Sequence, residues 1–215
     1  MATSERAGST VRRRRADGER RRQAIVRGAA ELATVEGLDG LSIGRLADHI
    51  GMSKSGLYAH FDSKEELQLA AIDEAQDIFT REVTAPAMAA PEGLTRLVGL
   101  CDAFLSHLER RVFPGGCFFA AAAAEFDTHD GRVKERIRDF FEHWLADIAD
   151  LIREAQARGE IDPSADADQL AFEIDSMLLG ANAGFVLFAD PRALQKARTG
   201  IRQRLGPAPK GPAPA

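Results

Sequence analysis

LSIGRLADHIGMSKSGLYAHFDSKEEL, Leu41 to Leu67, is the stretch that decides the fold. Ser42 has the side chain of an N-cap and is followed by Ile43, Leu46, Ala47 and Ile50, one apolar face of a short helix. Gly51 falls where a tight turn needs positive φ. Ser53 can cap a second short helix ending near His60, with Leu57 and Phe61 turned inward. Ser63, with Glu66 three residues on, forms a capping box for a third. Two short helices joined by a glycine turn make a helix-turn-helix, whose second helix enters the DNA major groove by its N-terminal residues.

That second helix has suitable chemistry. Ser53, Ser55 and Gly56 are small enough to let the backbone approach phosphates. Lys54 and Tyr58 can reach phosphate oxygens, and Ser55 and Tyr58 base edges. Lys64 adds a cation at the N-terminus of the next helix. Arg20, Ser42, Ser53, Lys54, Ser55, Gly56, Tyr58, His60 and Lys64 are therefore the expected DNA-contacting residues.

Outward from this motif the pattern is helical throughout. Stripes with gaps of three and four run through Ile25–Ala33, Leu67–Phe79, Leu94–Leu108 and Val133–Ala155. Gly37, Gly40, Pro86, Pro91, Pro114-Gly115-Gly116, Gly159, Pro163 and Pro191 punctuate them. No strand pattern stands out. The expectation is an all-α protein of about nine helices. A basic disordered arm (1–18) precedes a three-helix helix-turn-helix domain (19–64), a helical bundle for ligand binding and dimerisation (65–205) and a disordered Pro/Ala/Gly tail (206–215).

The net charge of −5 is unevenly spread. Residues 1–30 hold nine arginines against Glu5, Asp17 and Glu19, so one end is basic and the rest acidic. Only that end suits a polyanion, by phosphate contact rather than base reading. Cys101 and Cys117 have no CxxC partners, which points to reduced thiols and a cytoplasmic protein. The run Met177–Ala189 is too short to span a bilayer. Glu125, Asp127, His129 and Asp130 match no metal-ligand spacing, and no nucleophile-and-base or phosphate-loop motif is present. Neither a metal, a cofactor nor an enzymatic activity is expected.

The segment from about residue 20 to 80 resembles the DNA-binding domain of the TetR family of bacterial regulators. The resemblance is carried by "LSIGRLADHIGMSKSGLYAHF" and "SKEEL", with Tyr58, Phe61 and Lys64 at recurring family positions. It implies a homodimeric transcriptional repressor on palindromic operator DNA, released by a small molecule. A ligand-independent or activating helix-turn-helix regulator is the alternative, and an enzyme of unknown chemistry a more distant one. Within the helix expected over about Asp166–Ala189, the segment Met177–Ala189 is apolar almost all round and must be covered on both sides. Gly180, Ala181, Gly184, Phe185 and Phe188 are its expected dimer contacts. Cys101, Phe104, Leu105, Leu108, Cys117, Phe118, Phe140, Phe141, Trp144 and Met177 are the expected lining of a site for a lipophilic effector. The five alanines Ala120–Ala124 are expected to leave room beside it.

Overall fold

The computed structural model describes the backbone of residues 3–206 and the side chains from Gly18 onward. Those residues are helical and contain no strand. The order is α1 (Thr3–Glu36), α2 (Ile43–Ile50), α3 (Lys54–Tyr58), α4 (Lys64–Phe79), a π-helical turn (Thr80–Thr84), α5 (Ala85–Met88), α6 (Leu94–Glu109), α7 (Phe118–Phe126), α8 (Arg132–Ala157), α9 (Ala167–Leu187) and α10 (Arg192–Leu205). With α4, the π turn and α5 taken as one continuous run, these are the nine helical bodies of an all-α fold.

The head is built as its residues dictate. Ser42 Oγ accepts from the Arg45 N–H at 3.3 Å, Ser53 Oγ from Gly56 at 3.2 Å and Ser63 Oγ from Glu66 at 3.1 Å. Each satisfies a first-turn N–H that the helix itself leaves open. Glu66 reaches back one residue further than the capping box expects, accepting from the Asp62 N–H at 2.8 Å rather than from Ser63. Gly51 caps α2 at φ 69°, where a β-carbon is strained. Gly28 lets α1 and α2 touch: a Cβ there would lie 2.4 Å from Ile50 Cγ2. Ile25, Ala29, Leu46, Leu57, Phe61, Leu67 and Ala71 close the core beneath α3.

Helix α4 joins head to body, packing along its length on both α1 and α8. The body surrounds the buried faces of α6, α8 and α9. α10 and α8 flank α9, which is long and apolar enough by composition to cross a bilayer. In this fold it is a helix of the body core, with Leu170, Ile174, Leu178 and Phe185 buried.

The chain departs from expectation at two places. Helix α1 begins at Thr3, so the arm's backbone is helical rather than disordered. Arginine, alanine and glutamate are strong helix formers, and Gly8 and Gly18 each oppose them by only about 1 kcal/mol. Pro86, expected to end a helix, sits in the first turn of α5. Its ring would clash with the carbonyl four residues back, and the π turn immediately before it widens the backbone there. The tail expected to be disordered lies outside the described residues beyond Gly206.

Candidate nucleic-acid interface and the interior behind it

Helix α3 is held from behind and open in front. Leu57 is wholly buried and Phe61, just past the helix, is nearly so. Ser53, Lys54, Ser55 and Tyr58 are exposed, Gly56 and His60 half-exposed. Tyr58 is 65% exposed, so this large aromatic ring contributes little to the fold and is available to a partner. Ser53 serves as a cap as well as a surface hydroxyl. Ser42 is exposed but also committed to capping α2. Arg20 is exposed on α1.

Lys64 is engaged in a way the sequence does not suggest. Its Nζ donates to Asp39 Oδ1 at 2.9 Å, and this contact holds the Asp39 carboxyl below its ordinary range. Asp39 occupies the ammonium that a phosphate would take. Asp39→Asn is expected to leave stability within about 0.5 kcal/mol, since both partners are exposed. It should raise affinity for duplex DNA by about 1 kcal/mol, roughly five-fold, per protomer. Fluorescence anisotropy with labelled duplex checks this, and unchanged affinity would remove Lys64 from the interface.

Behind the head lies an aromatic interior. Phe79 makes edge-to-face contacts with Phe140 and Trp144, both at 5.1 Å between centroids, and reaches Phe104 and Phe119 at 6.2 and 6.3 Å. Phe119 stacks on Phe140. Cys101, Phe104, Leu105, Leu108, Cys117, Phe118 and Trp144 are buried, and Phe140 and Phe141 half-buried. Phe79, Phe113, Phe119 and His107 belong to the same interior. By its periodicity Phe79 belongs to the helix joining head and body, and only tertiary packing brings it here. Of the run Ala120–Ala124, which follows Phe118 and Phe119, Ala122 is buried. Met177 is not brought into this interior. It faces α10, where its Sδ would lie 2.9 Å from a Cβ at Gly200.

Polar groups in the interior are few and strongly perturbed. Trp144 Nε1 donates to Asp175 Oδ1 at 2.8 Å, and burial raises the Asp175 carboxyl despite that bond. Burial pushes the Cys101 thiol up to about 12 and the Cys117 thiol to about 11, so neither supplies thiolate near neutrality. His107 is 1% exposed, and its Nδ1 has no hydrogen-bond partner. Burial pushes its imidazole down to about 4. The unfolded chain binds that proton near pH 6.5 and the folded chain only near 4. This group therefore destabilises the fold progressively as pH falls through that window, by roughly 3 kcal/mol in total. In denaturant titrations His107→Phe is expected to lack that part of the pH slope; an unchanged slope would mean that the imidazole is solvated.

Head and interior are tied by contacts that converge on one loop and one carboxylate. Arg27 on α1 donates to the Val112 carbonyl at 2.9 Å and lies over the Phe113 ring, 5.3 Å from its centroid. Phe113 in turn meets the His107 ring at 5.7 Å. The Gly115 N–H donates to Thr34 Oγ1 at 3.1 Å, and a Cβ on Gly115 would fall 1.8 Å from the Thr34 carbonyl oxygen. Glu125 on α7 accepts from the Leu38 and Asp39 N–H groups at 3.1 and 2.8 Å. Its carboxylate thus holds the α1–α2 turn that carries Lys64's partner. No sequence signal distinguishes Glu125, which reads as one of several acids near a helix-to-helix turn.

Along α9 the expected dimer residues divide. Gly180 and Phe188 are exposed, Phe188 by 74%. Ala181 and Phe185 are buried within the protomer, and Arg111 lies over the Phe185 ring. Gly184 is used by α10, where a Cβ would meet that of Ala193 at 2.7 Å. Phe172 and Leu187 add exposed apolar surface, at 62% and 75%. An open groove of about 390 Å³ runs between α9 and α10, lined by Met177, Gly180, Phe188 and Ala193 among others.

Residues 25–71 match the family model for bacterial regulatory proteins of the tetR family, and residues 93–201 match the tetracyclin repressor-like C-terminal domain. The chain belongs to the TetR family. This TetR-family chain is 32% identical to a TetR transcriptional regulator from Chloroflexus aurantiacus J-10-FL, with a TM-score of 0.80 over 86% of this chain and 93% of that one. It is 24% identical to the HTH-type transcriptional repressor ComR of Escherichia coli K12, over 74% of this chain and 76% of ComR. The fold is shared with AibR, whose structure was solved in complex with isovaleryl coenzyme A and operator DNA. That likeness is 22% in sequence with a TM-score of 0.70, covering 87% of this chain and 99% of AibR. The chain is thus a DNA-binding transcriptional regulator with a helix-turn-helix head.

Proposed function

We propose that this regulator is a cytoplasmic homodimeric repressor that reads a two-fold operator with α3 and lets go when a lipophilic effector enters the aromatic interior. The observation that carries the reading is α3 itself: a capped helix anchored by Leu57 and Phe61 that turns Ser53, Lys54, Ser55 and Tyr58 to solvent. One such helix spans only a few base pairs, so specificity calls for two copies on successive major grooves. The exposed Gly180, Leu187 and Phe188 on α9 supply apolar surface for the second copy.

Repression and effector release are supported by the relatives, one of them a repressor and another solved with an acyl-coenzyme A and its operator. The interior offers rings, inert thiols and the unpartnered His107 Nδ1, which suits a largely apolar molecule with one hydrogen-bonding group. An effector that displaced Phe113 would act on Arg27 and so on α1. It would shift the population toward a head spacing that no longer fits the operator.

Selection from random duplex DNA tests the reading. An enriched palindrome bound by a dimer supports it, and no enrichment overturns it. A transcription assay from the selected operator then separates repression from activation.

A further inference from the structure

The first buried side chain among the described residues of α1 is Ile25; the residues from Gly18 to Ala24 are exposed. The helix nevertheless starts at Thr3. At ~1.5 Å per residue its N-terminal part reaches roughly 33 Å beyond the head's core. That part carries Arg6, Arg12 to Arg15 and Arg20 to Arg22 against Glu5, Asp17 and Glu19, in a chain whose net charge is −5.

Its point of departure is fixed. The Arg22 guanidinium lies over the Phe61 ring, 5.6 Å from the centroid, and Gln23 is hydrogen-bonded to Glu74. Phe61 is three residues beyond Tyr58, so the basic segment leaves the head beside the C-terminal end of the recognition helix. A strong polycation emerging there meets the same duplex that α3 reads. Four successive arginines, Arg12 to Arg15, interrupt any apolar stripe of helical period that a lipid surface would require.

We propose that the basic N-terminal part of α1 lies along the phosphates of the DNA flanking the half-site, extending the footprint without adding sequence preference. The proposal rests on the DNA-binding reading of α3. It assigns much of the salt-dependent affinity to residues outside the family's helix-turn-helix model, which begins at residue 25. Phosphate contacts release counterions, and each steepens the fall of log affinity with log salt by about 0.9.

The test compares the full chain with a variant lacking Ala2–Gly18 and with the full-length variant R12Q/R13Q/R14Q/R15Q, which keeps the helix length. Operator affinity is measured between about 50 and about 200 mM salt. Two duplexes are used: one ending at the half-sites, and one extended by about a helical turn (~10 bp) on each side. On the extended duplex, removing four contacts from each of two protomers should flatten the salt slope by about 7; on the short duplex the variants should differ much less from the full chain. Base preference should be unchanged. An unaltered slope on the extended duplex overturns the proposal. Equal flattening on both duplexes overturns the flanking placement. Loss of binding to single-stranded RNA or anionic vesicles, with the duplex slope intact, assigns the arm to another partner and overturns it too. If no operator can be selected, the DNA-reading proposal fails separately. Random-sequence duplex then tests the arm, because phosphate contacts predict the same flattening there.

Discussion

Replacing Trp144 with alanine is expected to destabilise the chain by about 3–5 kcal/mol, the range for truncating the largest buried aromatic side chains. The indole is 4% exposed and stands edge-on to Phe79 while stacking near Phe104 at 6.1 Å. Truncation opens a cavity between α4, α6 and α8. It also removes the Nε1 donor from Asp175, whose burial already disfavours its charge. Trp144→Phe keeps a ring but not the donor, and is expected to cost about 1–3 kcal/mol, mostly from the unpaired carboxyl. Because Trp144 is the only tryptophan, the alanine variant is followed by circular dichroism in denaturant. If Trp144→Ala lost less than about 1 kcal/mol, the interior would be loose enough to re-close rather than tightly packed around the indole.

The same variant separates stability from signalling. Phe79 sits near the end of α4, which runs from the head, and it touches both Trp144 and the His107 ring. A void beside Phe79 therefore also loosens the connector between head and body. Operator affinity measured well below the melting temperature should fall less in Trp144→Phe than in Trp144→Ala, in step with ring loss rather than with hydrogen-bond loss.

Whether a feature was legible in the sequence depended on whether it was local. The stripes of α2, α4, α6 and α8 are periodic, and their inward residues are the ones buried, from Leu46 to Ile152. The caps Ser42, Ser53 and Ser63 were legible because a cap is a side chain acting on an N–H two or three residues on. The ties between head and body were not. Arg27 to Val112, Thr34 to Gly115 and Leu38 to Glu125 each join residues more than 80 apart in sequence, and no periodicity records them. Helix α9 fails for the opposite reason. From Met177 on it is apolar on nearly every side, so the pattern there does not say which residues face inward. Ala181 and Phe185 pack inside the protomer, Gly184 serves α10, and Met177 lies in the outer groove. Lys64 was legible as a cation at a helix start, but Asp39, which holds it in the free protein, was not.

Tyr58→Ala is expected to abolish tight operator binding without touching the fold. The ring is 65% exposed, so the stability change should stay within about 0.5 kcal/mol. A residue that meets phosphate or a base edge contributes about 1–3 kcal/mol to binding at each half-site. A dimer loses it twice, which amounts to about 2–6 kcal/mol, or roughly thirty-fold to more than 10⁴-fold in affinity. Tyr58→Phe discriminates the two ways the residue could act. If the hydroxyl bonds a phosphate, the phenylalanine variant binds almost as weakly as the alanine variant. If the ring packs on a thymine methyl or sugar, it retains most of the affinity. Sedimentation and thermal melting of both variants should match the unmodified chain. Unimpaired operator binding by Tyr58→Ala would mean that α3 is not the element in the groove. The acidic body rules out most other surfaces, so the search would then move to the exposed face of α1 at Arg20 and Arg21, where the remaining positive charge of the head is concentrated.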